Sequence, residues 1–145
     1  MSLAMTREER EAFLAAVHVG VLSIELPGEP PLSAPVWYDY APDVGFWFVT
    51  EEASRKGRAL AAAQRCTLVA QSEEAPNYKY VSVSGPVIDV RPSDDEKHRR
   101  PMAHRYLGKQ LGDLYVASVS GEGNLLYTVR PERWLSVDYT KSGLA

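Results

Sequence analysis

The 145-residue sequence holds a single cysteine, Cys66, so neither an internal disulfide nor a thiolate cage for a metal can form within one chain. Its three histidines, His18, His98 and His104, follow no His-x-His or His-Glu-x-x-His spacing, the usual sequence mark of a metal centre. No apolar run approaches the roughly 20 residues that a membrane span requires, and no signal-peptide pattern follows the first methionine. Basic residues are not in excess. Lysine and arginine number 16 against 19 acidic residues, a net charge of −3, whereas a nucleic-acid binder shows a basic total or a basic face. Repeats and low-complexity tracts are absent, and Gly121 and Gly123 in SGEGN lack the strand-glycine-helix setting of a dinucleotide fingerprint. What remains is a small globular domain with 45% hydrophobic and 24% charged residues. A lone thiol suits a reducing cytoplasm.

Setting aside the opening MSLA as a cloning remnant, one domain is expected over residues 5–145. Thr6 and Glu9 have capping-box spacing, with Phe13, Leu14 and Val17 behind them, which predicts a short opening helix. VGVLSIEL, LSAPVWYDY and VGFWFVT then read as three strands separated by turn residues. SRKGRALAAAQ reads as a helix, RCTLVAQ as a buried strand, and YKYVSVSGPVIDV as a long strand interrupted at Gly85 and Pro86. Ser93 and Glu96 repeat the capping spacing before a charged helix that Pro101 is expected to divide. LLYTVR and RWLSVDY supply one or two closing strands. The pattern is mainly β, a six-stranded antiparallel barrel with short flanking helices.

The stretch TEEASRKGRAL, from Thr50 to Leu60, sets Arg55 and Lys56 at a helix start, where free N–H groups already carry partial positive charge. Helical spacing puts Lys56, Leu60 and Ala63 on one stripe, and Leu60 turns that stripe toward the barrel. Free N–H groups, the Ser54 hydroxyl and two cations form a cradle suited to a phosphate. The same residues also read as an ordinary solvated helix start, with Glu51 and Glu52 close by.

A strand ending in FWFVT, the SRK triplet opening a helix, a short buried strand and then YVSVSG together resemble the pyridoxamine 5′-phosphate oxidase-like split β-barrel family. The resemblance is close from Val19 to about Asp89, and less specific in PERWLSVDY. It implies a homodimer that holds FMN, or the deazaflavin coenzyme F-420, between subunits. It also implies an oxidoreductase that passes a hydride between the cofactor ring and a small organic substrate. Phosphate contacts carry over onto Thr50, Ser54, Arg55 and Lys56. Ring contacts carry over by position onto Pro35, Val36 and Trp37 in the second strand and onto Tyr80. No residue is assigned to proton transfer, and neither a metal, a nucleic acid nor a membrane is expected as a partner.

Two departures narrow the expectation. The family's oxidases bear an arginine and a lysine along the second strand, where this chain reads SAPVWYDY, and they carry substrate-binding arginines in their last segment, where it reads DYTKSGLA. Pyridoxamine phosphate is therefore not the expected substrate, and the aromatic second strand is more like the short actinobacterial flavin and deazaflavin oxidoreductases. A non-catalytic carrier of a flavin, a tetrapyrrole or another coenzyme would use the same anchor. Arg99, Arg100 and Arg105 are further candidates for an acidic coenzyme tail.

Overall fold

Thr6 opens the first helix, α1 (Arg7–Ala15), through the full capping box: its hydroxyl accepts the Glu9 N–H, and the Glu9 carboxylate accepts the Thr6 N–H. The computed structural model describes residues 2–143. Residues 144 and 145 of the expected domain lie outside that range. At the other end, the Leu3 carbonyl accepts the Asp138 N–H at 2.8 Å, and Met5 is buried.

Among the described residues eight strands form one antiparallel system: β1 (Gly20–Ile24), β2 (Leu32–Val36), β3 (Asp39–Ala41), β4 (Gly45–Glu51), β5 (Arg65–Ser72), β6 (Lys79–Pro92), β7 (Asn124–Val129) and β8 (Arg133–Asp138). Neighbours run β2-β1-β5-β6-β7-β4-β3, and β8 adds to β6. The first half of β6 lies between β5 and β8, and its second half pairs with β7, so one strand joins both halves of a split barrel. Leu22, Ile24, Leu68, Val81 and Val83 from one half meet Tyr40, Phe46, Phe48 and Val129 from the other in a common core.

The expected six strands become eight for two local reasons. LSAPVWYDY breaks at Trp37 and Tyr38, because the Tyr38 N–H is taken by the Tyr106 hydroxyl instead of a neighbouring strand. Pro131, with no N–H to give a ladder, separates β7 from β8. β6 is continuous through Gly85 and Pro86, and its irregularity falls between Val87 and Asp89. Gly85 is needed because a Cβ there would lie 1.8 Å from the Arg130 carbonyl oxygen.

The charged segment departs further from expectation. Asp94, not Ser93, is the cap, its carboxylate accepting the N–H groups of Glu96 and Lys97. A π-helical turn (Asp95–Arg99) leads into α3 (Arg100–Ser118), so the helix changes form just before Pro101, as expected, although Arg99 and Arg100 keep helical backbone across the junction. A second, unexpected break follows at Gly108 (φ 79°, ψ 175°).

Candidate functional site

The helix α2 (Arg55–Ala63) follows β4 through a tight turn in which Ser54 is the N-cap. The Ser54 Oγ accepts the Gly57 N–H at 3.0 Å and donates to the Glu51 carbonyl at 2.7 Å. Thr50, nearly fully buried, places its hydroxyl 3.5 Å from that Oγ. Gly57 lets the helix start fold this closely onto the strand end, since a Cβ would come within 2.3 Å of the Glu51 carbonyl oxygen and 2.5 Å of that of Glu52. Buried Ala59 and Leu60 hold the helix against the core, and the same stripe leaves Lys56 half-buried while Arg55 and Arg58 are exposed.

The donors left at this tip can be counted. The first helical N–H groups, those of Arg55 and Lys56, have no intrahelical carbonyl to bond. Neither side chain is in an ion pair within 4.0 Å among the described residues, and no acidic residue lies in the first helical turn. Arg58 instead donates to the Ala53 carbonyl at 2.8 Å. The Ser54 proton is already given to Glu51, so the anion donors are two N–H groups, an ammonium and a guanidinium. That set suits a phosphate, which accepts and does not donate.

The nominated ring residues separate into three places. Pro35 and Tyr80 lie on the outer face of the β2-β1-β5-β6-β8 half, facing away from the core in which α2 buries Leu60. Val36 points into that core and can offer only its backbone. Trp37, at the β2–β3 junction, stacks on Tyr106 (centroids 5.1 Å apart, planes 5° apart) and meets Tyr115 at 54°. Trp37 and Tyr115, with Val49, Arg99, Met102 and Asn124, border a cavity of about 80 Å³. Val49, on the same cavity as Trp37, precedes Thr50 on β4.

The three arginines considered for a coenzyme tail are engaged within the chain. Arg99 is buried, bonded to Asp95 and to the Val119 carbonyl. Arg100 bridges Glu96 and Asp113. Arg105 donates to the carbonyls of Ala15, Ala16 and Tyr38 and pairs with Asp39. Gly57, Tyr106 and Tyr115 were not marked by sequence reasoning. A glycine directly after SRK was a readable signal of close backbone approach; nothing in the spacing of the two tyrosines marked their meeting with Trp37. Among the described residues no group of three or more His, Cys, Asp or Glu side chains is placed to hold a metal ion. No helix among them is long and apolar enough to cross a membrane.

The family model described as pyridoxamine 5′-phosphate oxidase matches residues 6–138. The sequence matches no functionally curated protein. Among solved structures the chain is similar to the conserved hypothetical protein Rv2991 of Mycobacterium tuberculosis, with a TM-score of 0.79, 19% identity, and coverage of 99% of this chain and 91% of that one. It is similar also to an F420 reductase, with a TM-score of 0.62 and 21% identity over 86% of this chain and 94% of the other. HutZ, the heme storage protein of Vibrio cholerae, gives a TM-score of 0.66 and 14% identity over 95% of this chain and 96% of its own. At these identities the structural likenesses show the shared fold.

Proposed function

Because the match over residues 6–138 makes this chain a member of the pyridoxamine 5′-phosphate oxidase family, we propose that it is a homodimeric oxidoreductase. In this reading it holds FMN or the deazaflavin coenzyme F-420 between subunits and passes a hydride between the cofactor ring and a small organic substrate. The observation that carries the reading is the α2 tip, where Lys56 and Arg55 have no anionic partner among the described residues and stand beside two N–H groups without an intrahelical acceptor. The cofactor supplies the hydride chemistry; the protein binds, orients and excludes water. Lys56 and Arg55 neutralise the phosphate, and Thr50 with Ser54 holds the turn that presents them. The likeness to an F420 reductase favours keeping the deazaflavin beside FMN.

The division of the nominated residues supports the dimer. Pro35 and Tyr80 share an outer face that turns away from the α2 tip of the same chain, so a ligand touching both groups needs a second copy. One row of that face is mainly apolar, beside a polar row of Ser33, Ser23, Thr67, Ser84 and Arg133. Pro35, Val21, Val69, Ser82 and Leu135 form one row across five strands, and Val21 and Leu135 are 42% and 58% exposed.

Lys56→Ala is expected to weaken binding of the phosphorylated cofactor by about 1.5 to 3 kcal/mol, the scale of a hydrogen bond to a charged group, without unfolding the protein. Arg58→Ala, whose guanidinium is spent on Ala53, should change affinity less. Fluorescence titration of each variant with FMN and with F-420 makes the comparison, and unchanged affinity in Lys56→Ala sinks the assignment.

A carrier without turnover is the second reading, favoured by the likeness to a heme storage protein. Reduced cofactor mixed with candidate acceptors separates the two. Reoxidation faster than that of the free cofactor supports the enzyme, and tight binding with no acceleration supports the carrier.

A further inference from the structure

Tyr106 occupies a position that the family reading does not use. Its hydroxyl donates to the His18 carbonyl at 2.5 Å and accepts the Tyr38 N–H at 3.0 Å. The Tyr38 carbonyl receives the neighbouring Arg105 Nε at 3.0 Å. Both backbone polar groups of Tyr38 are thus held by consecutive residues of α3, at the point where the strand breaks between β2 and β3. A buried N–H left without an acceptor is costly, so this bonding fixes the backbone on which Trp37 is carried. The Tyr106 ring then lies parallel to the Trp37 indole, and Tyr115 meets the same indole at a tilt. A tryptophan on a strand break would otherwise have free choice among rotamers. Here its orientation is set by a helix more than 60 residues away in sequence, at the separation of 68 recorded for the Tyr38–Tyr106 bond.

We propose that Tyr106 is a positioning residue: through its stack on Trp37 and its bond to Tyr38 it sets the indole in the orientation that receives the cofactor ring. The proposal rests on the cofactor reading above and on the place of Trp37 in it. It separates ring recognition, which passes through α3, from phosphate recognition, which belongs to α2. A residue that merely stabilises the fold would affect both alike.

The test therefore uses two probes, FMN and ribitol 5-phosphate, which carries the same phosphate and chain without the ring. Tyr106→Phe keeps the stack but removes the hydroxyl, and Tyr106→Leu removes both. Affinity for FMN is expected to fall roughly three- to tenfold in Tyr106→Leu, the range that loss of an aromatic contact represents. A smaller fall is expected in Tyr106→Phe, with a shifted visible circular dichroism band of bound FMN. Affinity for ribitol 5-phosphate should hold in both. Should these variants not purify, Trp37→Leu removes the other half of the stack and must give the same split. Equal losses for the two probes, or FMN binding unchanged in every variant while Lys56→Ala still weakens it, overturn the positioning role and leave the cofactor reading standing. A wild-type protein that binds neither FMN nor F-420 overturns both.

Discussion

In the interior of an exposed helix an alanine is favoured over a glycine by about 1 kcal/mol, and Gly57 is the third residue of α2. Here the contacts reverse that ranking. A methyl group at position 57 would stand 2.3 Å from the Glu51 carbonyl oxygen, backbone that cannot swing aside as a side chain can. Forcing such a contact apart costs about 1 to 3 kcal/mol, which exceeds the propensity gain. Gly57→Ala is therefore expected to lower the midpoint of urea unfolding and, by lifting the helix tip off the strand end, to weaken FMN binding as well. A more stable variant would show that the turn is looser than its geometry implies. Cys66 illustrates the opposite case, a residue whose chemistry is suppressed by its surroundings. Burial pushes its thiol up to about 12, so it packs in the core as a small apolar group.

The element least legible from sequence was α3. A proline within a charged run signals a division, and the π-helical turn does give way to α3 just before Pro101, but the sharper break at Gly108 carried no such signal. The opening helix and the α2 cap were legible because capping is local chemistry written in three or four consecutive residues. The tasks of Arg99, Arg100 and Arg105 were only partly legible: the pairs with Asp95 and Glu96 follow i,i+4 spacing, but Val119, Asp113 and Ala15 are partners that no local pattern connects. On α3 the bonds from His104, Lys109 and Arg100 hold the Asp113 carboxyl well below the usual carboxylate range. On α1 the bonds from Lys141 and from the Thr6 N–H bring Glu9 down to about 2. Groups with lowered folded-state values stabilise fully above the unfolded-state value of about 4 and lose that contribution as pH falls below it. Melting temperature should therefore drop progressively as pH falls from about 4 toward about 2, less steeply in Asp113→Asn and less steeply for wild type in high salt. An identical acid profile for Asp113→Asn would mean that the cluster on α3 contributes nothing to the folded state.

At the scale of the whole molecule, the barrel class was written in the alternation of apolar and polar residues, and the strand total was not. Whether LSAPVWYDY is one strand or two depends on a hydroxyl from a helix far away in sequence. Likewise, the two cations at the α2 tip, proposed to hold a phosphate, were legible from SRK, whereas the separation of Pro35, Trp37 and Tyr80 onto different surfaces follows only from strand order. The outer row from Pro35 to Leu135 bears on assembly. Leu135→Asp places a charge on this row and is expected to convert the proposed dimer to monomer in sedimentation equilibrium with the fold intact by circular dichroism. A dimer that survives with unchanged affinity puts the interface elsewhere. The continuous course of β6 has a consequence for how the protein melts. Because a single ribbon is stitched into both sheets, neither can peel away while the other persists, and the amides of Val81, Val83 and Val87 should be among the last to exchange with deuterium. Anything gripped at either end of the molecule would then be felt throughout it, as one sharper and hotter transition rather than two.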